Sequence, residues 1–184
     1  MYKRYIKRLM DILFSIILLI VLLPLSIVIG LLCLFSTKHI FYKQKRDGLY
    51  KKSFWIYKFS TMKEIDGTYE ERTPLVMRVI RAIGLNEIPQ LVNILKGDMS
   101  FVGPRPFMTG EKLPTYPEEI FYTVKPGVVS LAVAHGRRFV SHEKRLEYDC
   151  EYAKKVSFKL DIIILFKSLK VLIAQNTGGE SWKK

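Results

Sequence analysis

Cysteine is scarce in this chain: two residues, Cys33 and Cys150, among 184. One lies in an apolar run and the other in a charged stretch. No disulfide framework and no paired-cysteine zinc spacing can be built from them. Two free thiols fit a reducing compartment. Acidic residues are also in short supply, with 17 Asp+Glu against 30 Lys+Arg and a formal net charge of +13. That imbalance calls for an anionic partner: nucleic acid, an anionic membrane face or phosphorylated substrates. The sequence lacks an RNA-recognition aromatic pair and paired Cys/His ligands, which argues against nucleic acid. Hydrophobic content of 49% excludes a disordered chain.

What is present begins with grease. An uncharged run extends from Ile12 to Phe35, longer than the roughly 20 residues that cross a bilayer as a helix. No small-x-small cleavage site ends it, so it does not read as a signal peptide. Pro24 interrupts it and removes a helix hydrogen bond. Basic residues flank both sides: Lys3, Arg4, Lys7 and Arg8 before, Lys38, Lys43, Lys45 and Arg46 after. Both ends then belong on the cytoplasmic side. A re-entrant helix hairpin broken at Pro24 satisfies both observations, and a plain transmembrane span is the alternative.

After the run, Ile40 to Met62 alternates apolar groups with charges and predicts short strands, with a turn at Arg46-Asp47-Gly48. Residues 65–73 read as a polar loop. Pro74 starts a helix in which Arg78 and Arg81, spaced i, i+3, project from one side. Arg81 is a candidate phosphate ligand, or a solvated helix arginine. Gly84 reads as a helix stop, Asn86 as the N-cap of the next helix, and Glu87 and Pro89 as first-turn residues. Gly97 ends that helix. Gly103-Pro104-Arg105-Pro106 is a stiff loop that aims a guanidinium. A helix N-terminus near a rigid arginine can hold phosphate, and a capped helix followed by a turn accounts for the same residues. Met108 to Val124, with Pro114 and Pro117, is surface-type, and Pro126-Gly127 reads as a turn. Residues 143–155 form a charged helix with a mostly solvated face. Ser157 caps a last helix over 158–174, whose lysines beside a broad apolar face suit a membrane interface or a core. Asp161 is costly there unless paired. Residues 175–184 form a polar tail.

These segments resemble one family. The matching residues are Tyr57-Lys58-Phe59 with Thr61-Met62, then Glu87 with Pro89-Gln90-Leu91. The unbroken run from Lys96 to Pro106, KGDMSFVGPRP, follows. Pro126-Gly127, Gly136-Arg137, Tyr148-Asp149, Ser157-Phe158 and Leu160-Asp161 complete the set. The chain resembles the bacterial sugar transferases, the monotopic polyprenyl-phosphate phosphoglycosyl transferases of the small single-domain type, over nearly its whole length.

The resemblance implies an α+β fold, mostly α. A basic N-terminus and re-entrant helix would occupy 1–37, a small cytoplasmic α/β domain with interfacial amphipathic helices 38–174, and the tail 175–184. It implies transfer of a phosphosugar from a nucleotide-diphosphate sugar to polyprenyl phosphate, at the cytoplasmic face of the bacterial inner membrane, in polysaccharide biosynthesis. Mg2+ would offset phosphate charge. By position, Lys58, Glu87 and Asp161 would be catalytic, with Glu87 also a metal ligand. Arg81, Pro104, Arg105 and Arg137 would bind substrate.

One departure dominates. The family's nucleophile is an aspartate, and Asn86 stands in its place. An amide has no anionic oxygen with which to attack phosphorus. Ser60, Ser130, Val133 and His135 also depart from the family pattern, and the usual Ser-Pro helix break reads Leu23-Pro24. Three readings stay open: an active enzyme in which Asn86 is an altered position, a pseudoenzyme that binds substrates or an active relative, and a route with Glu87 as nucleophile. Partners therefore include a relative or a second copy besides the two phosphorylated ligands and an anionic membrane. A scaffold without a nucleotide site is the reading outside this class.

Overall fold

The apolar N-terminal run folds as two helices. In the computed structural model, which describes residues 1–111, 118–136 and 139–176, a π-helical turn Tyr2–Ile6 leads into α1 (Lys7–Val21), and α2 (Leu23–Thr37) follows at 66°. The break falls at Leu22 (φ −89°, ψ 1°), not at Pro24, which occupies the first turn of α2. The expected position was two residues late for a physical reason. Proline cannot donate to the preceding turn, but a first helical turn needs no such bond, so the chain bends before the ring. No single described helix is long and apolar enough to cross a membrane, whereas the bent pair meets both criteria together.

β1 (Phe41–Asp47) and β2 (Ser53–Phe59) pair as an antiparallel hairpin with Tyr42 opposite Lys58 and Arg46 opposite Phe54. The two-residue period puts Tyr42, Gln44, Arg46, Phe54, Ile56 and Lys58 on one face. Phe54 and Ile56 enter the core, and the polar four line a cavity. The stretch expected to be wholly loop contains one helical turn, α3 (Tyr69–Arg72), held by a reciprocal Thr68–Glu71 capping box. α4 (Leu75–Ala82) buries Met77 and Ile80 and leaves Leu75, Val76 and Val79 exposed.

Gly84 takes the left-handed conformation (φ 83°) that reverses the chain. A tight 3-10 turn, Leu85–Glu87, follows, and α5 (Gln90–Lys96) begins only after Pro89. Asn86 is therefore not a helix cap, since it sits inside the turn. Gly84 and Pro89 set the two boundaries, and no side chain caps either element. Gly97 (φ 91°) ends α5 as expected.

β3 (Ser100–Val102) runs parallel to β4 (Gly127–Val129). The Pro126-Gly127 pair thus opens a strand rather than forming a turn. Gly103 donates to Val129, and Gly127 donates to Pro104. The backbones approach so closely that a Cβ on Gly127 would lie 2.1 Å from the Gly103 nitrogen. Short helices α6 (Glu118–Phe121) and α7 (Leu131–Ala134) precede α8 (His142–Lys155) and α9 (Phe158–Asn176). The architecture is α+β and mostly helical, as the sequence implied.

Charged groups tie α1 to this domain. Asp11 accepts hydrogen bonds from Ser100 Oγ and the Phe101 N–H, both at 3.1 Å. Arg8 donates to the carbonyls of Ile94 and Leu95 at the end of α5, where a cation complements the helix dipole. Asp161, on α9, accepts from Lys7 (2.5 Å), Tyr2 (2.6 Å) and Tyr152 (2.7 Å). Asp161 is paired, as its burial demanded.

Removing one partner of a buried pair leaves the other charge uncompensated, at a typical cost of about 3–5 kcal/mol. Asp161→Ala should lower unfolding stability by roughly that amount, measured by urea unfolding in detergent micelles. Asp161→Asn, which retains hydrogen-bonding capacity, should cost less.

Candidate functional site

A cavity of about 740 Å³ opens between the inner face of the hairpin, the segment 60–64, α3, α4, the 3-10 turn, the Arg105 loop and α8. Eight cationic side chains line it: Arg46, Lys58, Lys63, Arg72, Arg78, Arg81, Arg105 and Arg145. Among the described residues, only Glu64 and Glu87 oppose them. Low-dielectric walls bearing one sign of charge focus the field and concentrate anions.

Asn86 and Glu87 stand together in the wall. Asn86 is 7% exposed. Lys58 Nζ donates to Glu87 Oε1 at 2.9 Å. This ion pair joins β2 to the 3-10 turn and holds the carboxylate in one orientation. Arg81 donates to Thr61 Oγ1 at 3.0 Å and lies over the Tyr69 ring. Arg78 is committed to the carbonyls of Thr73 and Glu70. The structure thus brings Lys58, Arg81, Asn86, Glu87 and Arg105 to one cavity. Pro104 is buried behind it, a frame residue whose carbonyl receives the Gly127 N–H. Asp161 lies outside the lining, in the α1–α9 clamp. Arg137 falls outside the described residues.

Three lining arginines are not singled out by the sequence: Arg72, in the stretch read as a polar loop, and Arg46 and Arg145. Arg46 was assigned to a turn and a basic flank, and Arg145 to a solvated helix face. Strand pairing could have found Arg46, because Tyr42 opposite Lys58 puts it on the same face. Arg145 lies one turn before Asp149 on α8, the i, i+4 relation that shares a helix face. α8 buries Leu146, Asp149 and Tyr152, so its face is only partly solvated.

The positions at which the resemblance implies other residues are mostly found here. Ser60, Ser130 and Val133 line the cavity with Asn86. His135 does not; it stacks on Tyr148 at 4.3 Å, with Nδ1 2.9 Å from the Leu131 carbonyl. The histidine is structural.

Among the described residues, no group of three or more His, Cys, Asp or Glu side chains is arranged to hold a metal ion. Glu87, beside the Asn86 amide, is the carboxylate available at this end of the cavity. A single carboxylate fits Mg2+ held mainly by water and substrate phosphates rather than in an all-protein cage.

Asp149 supports the Arg105 loop by accepting the Arg105 N–H at 3.1 Å. Burial pushes its carboxyl up to about 7, against the opposing pull of that hydrogen bond, Ser130 and the charges of Arg145 and Arg105. A carboxyl with a raised folded-state pKa binds its proton more tightly when folded. Its contribution to stability is present below pH ~4 and is lost as pH rises to about 7. Asp149→Asn should therefore flatten the decline in stability between those limits, read from urea midpoints across pH.

A family model described as bacterial sugar transferase matches residues 2–175. The chain is 41% identical over 145 residues to the uncharacterized sugar transferase EpsL of Bacillus subtilis, covering 74% of this chain and 71% of that one. It is 34% identical to the exopolysaccharide production protein ExoY of Sinorhizobium fredii, covering 89% of this chain and 83% of the relative. It is 34% identical to the UDP-glucose:undecaprenyl-phosphate glucose-1-phosphate transferase of Xanthomonas campestris, covering 94% of this chain but only 40% of that protein. With the GDMSFVGPRP run forming the strand and loop beside the cationic cavity, the chain belongs to the bacterial sugar transferase family.

Proposed function

We propose that the cavity gathers two phosphorylated ligands, a nucleotide-diphosphate sugar and a polyprenyl phosphate, for phosphosugar transfer in bacterial polysaccharide biosynthesis. The observation that carries this reading is eight cations against two carboxylates around Asn86 and Glu87. The names of relatives agree in kind, since one pairs UDP-glucose with undecaprenyl phosphate.

The bent α1–α2 pair suits a re-entrant hairpin that rests the domain on the cytoplasmic face of the inner membrane. Its outer residues are greasy and open, Ile20 at 68% and Phe35 at 83% exposed. The outward apolar residues of α9, Phe166, Leu169 and Ile173, extend that surface, with Lys167 and Lys170 beside them for anionic headgroups.

Within the cavity, Lys58 holds the Glu87 carboxylate in one orientation. Arg81 and Arg105 meet phosphate oxygens, where bidentate, charge-assisted bonds are strongest. Mg2+, when bound at Glu87, would offset phosphate charge. Asn86 occupies the place where the family attacks phosphorus, and its neutral amide cannot form the acyl phosphate.

That substitution favours a second reading: the site holds the same ligands without covalent transfer, and an active relative is the partner. The grouping of Ser60, Ser130 and Val133 on the same wall supports it, because a single changed nucleophile would leave those positions alone.

Radiolabelled UDP-glucose and undecaprenyl-phosphate vesicles test both. Ligand binding without lipid labelling or a labelled protein band is expected of the chain as written. Asn86→Asp should raise labelling at least about tenfold if only the nucleophile is missing. Turnover by the unaltered chain that is abolished by Glu87→Gln would overturn the second reading.

A further inference from the structure

Three arginines at one end of the cavity come from three separate elements: Arg46 from β1, Arg105 from the loop after β3, and Arg145 from α8. Arg46 and Arg105 are held by the scaffold. Arg46 donates to the Pro106 carbonyl at 3.1 Å and to Gln44 Oε1 at 2.6 Å, while its Nε is buried without a partner. Arg105 is exposed, but its backbone is locked between two prolines and bonded to Asp149. Arg145 projects from α8 one turn before Asp149.

Arg105 is the common neighbour. Its charge, added to burial, lowers the proton affinity of both Arg46 and Arg145. Glu111 and Asp149 relieve this only in part. Glu111 is also held by the Met108 N–H, and burial raises the proton affinity of Asp149. Like charges gathered in a partly buried site are costly unless an anion joins them. The unpartnered Nε of Arg46 is a donor in want of such an acceptor.

We propose that Arg46, Arg105 and Arg145 form an oxyanion subsite for the nucleotide-side phosphate, leaving the sugar-linked phosphate to the Asn86–Glu87–Lys58 end. This assignment rests on the reading that the cavity takes phosphorylated ligands. The lipid phosphate is assigned to the wall formed by α4. There α4 carries Arg78 and Arg81 inward and exposes Leu75 (73%), Val79 (55%) and Val76 on its other side. A helix that is apolar outside and cationic inside suits a ligand with a greasy tail and an anionic head. The end bearing Arg46, Arg105 and Arg145 suits the water-borne ligand.

The test uses the full chain in nanodiscs, with UDP as the soluble probe and undecaprenyl phosphate as the lipid probe. Arg46→Gln and Arg145→Gln should each weaken UDP binding about tenfold or more, as expected for loss of a charged hydrogen bond. Undecaprenyl-phosphate binding should stay within about twofold. Lys154→Gln, which removes an exposed charge away from the cavity, should leave both unchanged. Thermal midpoints identify any variant that does not fold. Arg46→Lys and Arg145→Lys, which keep the charge, then supply a second pair with intermediate loss. UDP affinity within about twofold of the unaltered chain, in folded variants, would overturn the subsite while leaving the cavity's general role intact. So would a loss that fell on the lipid arm. A folded unaltered chain that ignores UDP would remove the phosphate reading and the subsite together.

Discussion

Three charged side chains on the first two turns of α1 fix the greasy arm to the domain that holds the cavity. Lys7 reaches Asp161 on α9, Arg8 closes the end of α5, and Asp11 receives Ser100 and the start of β3. Each contact replaces water with a protein partner, so the helix has one polar seam and an otherwise apolar circumference. The seam cannot slide or rotate without stranding a buried charge. Two of the elements it grips, α5 and β3, follow the 3-10 turn carrying Asn86 and Glu87. The angle of the apolar arm and the position of that turn are thereby set by one group of contacts.

The cavity follows a complementary rule. Its cations come from elements spread along the chain, and their mutual repulsion is tolerated because the scaffold pins them individually. Arg46 and Arg78 are bound to backbone carbonyls, Arg81 to a threonine, and Lys58 to a glutamate. Such a site is preorganised for anions, since the cost of assembling its charge is met in folding. Neutral side chains stand among these charges in the cavity wall: Asn86, Ser60, Ser130 and Val133. The scaffold thus presents a cationic wall around the neutral Asn86 amide.

Much of this was legible beforehand because it is local. Glycines at 84 and 97 end helices through their own backbone freedom, and Pro24 forces a bend within two residues of itself. The alternation after Ile40 gives a hairpin. The placement of Lys58, Arg81, Glu87 and Arg105 in one site followed from the family resemblance. Asn86 was misplaced as a helix cap because Ser, Asp and Asn also serve tight turns, and only the neighbouring Gly84 and Pro89 decide which.

By itself, the sequence determined the element types, the cationic excess, the bent apolar arm and the family, all properties of short segments or of composition. Only the tertiary structure decided that Asp161 clamps α1 instead of lining the cavity, and that Arg46 and Arg145 join Arg105. Those outcomes depend on contacts between residues far apart in the chain. The energy of a charge is set by what folding places beside it, and periodicity along the chain carries no record of that.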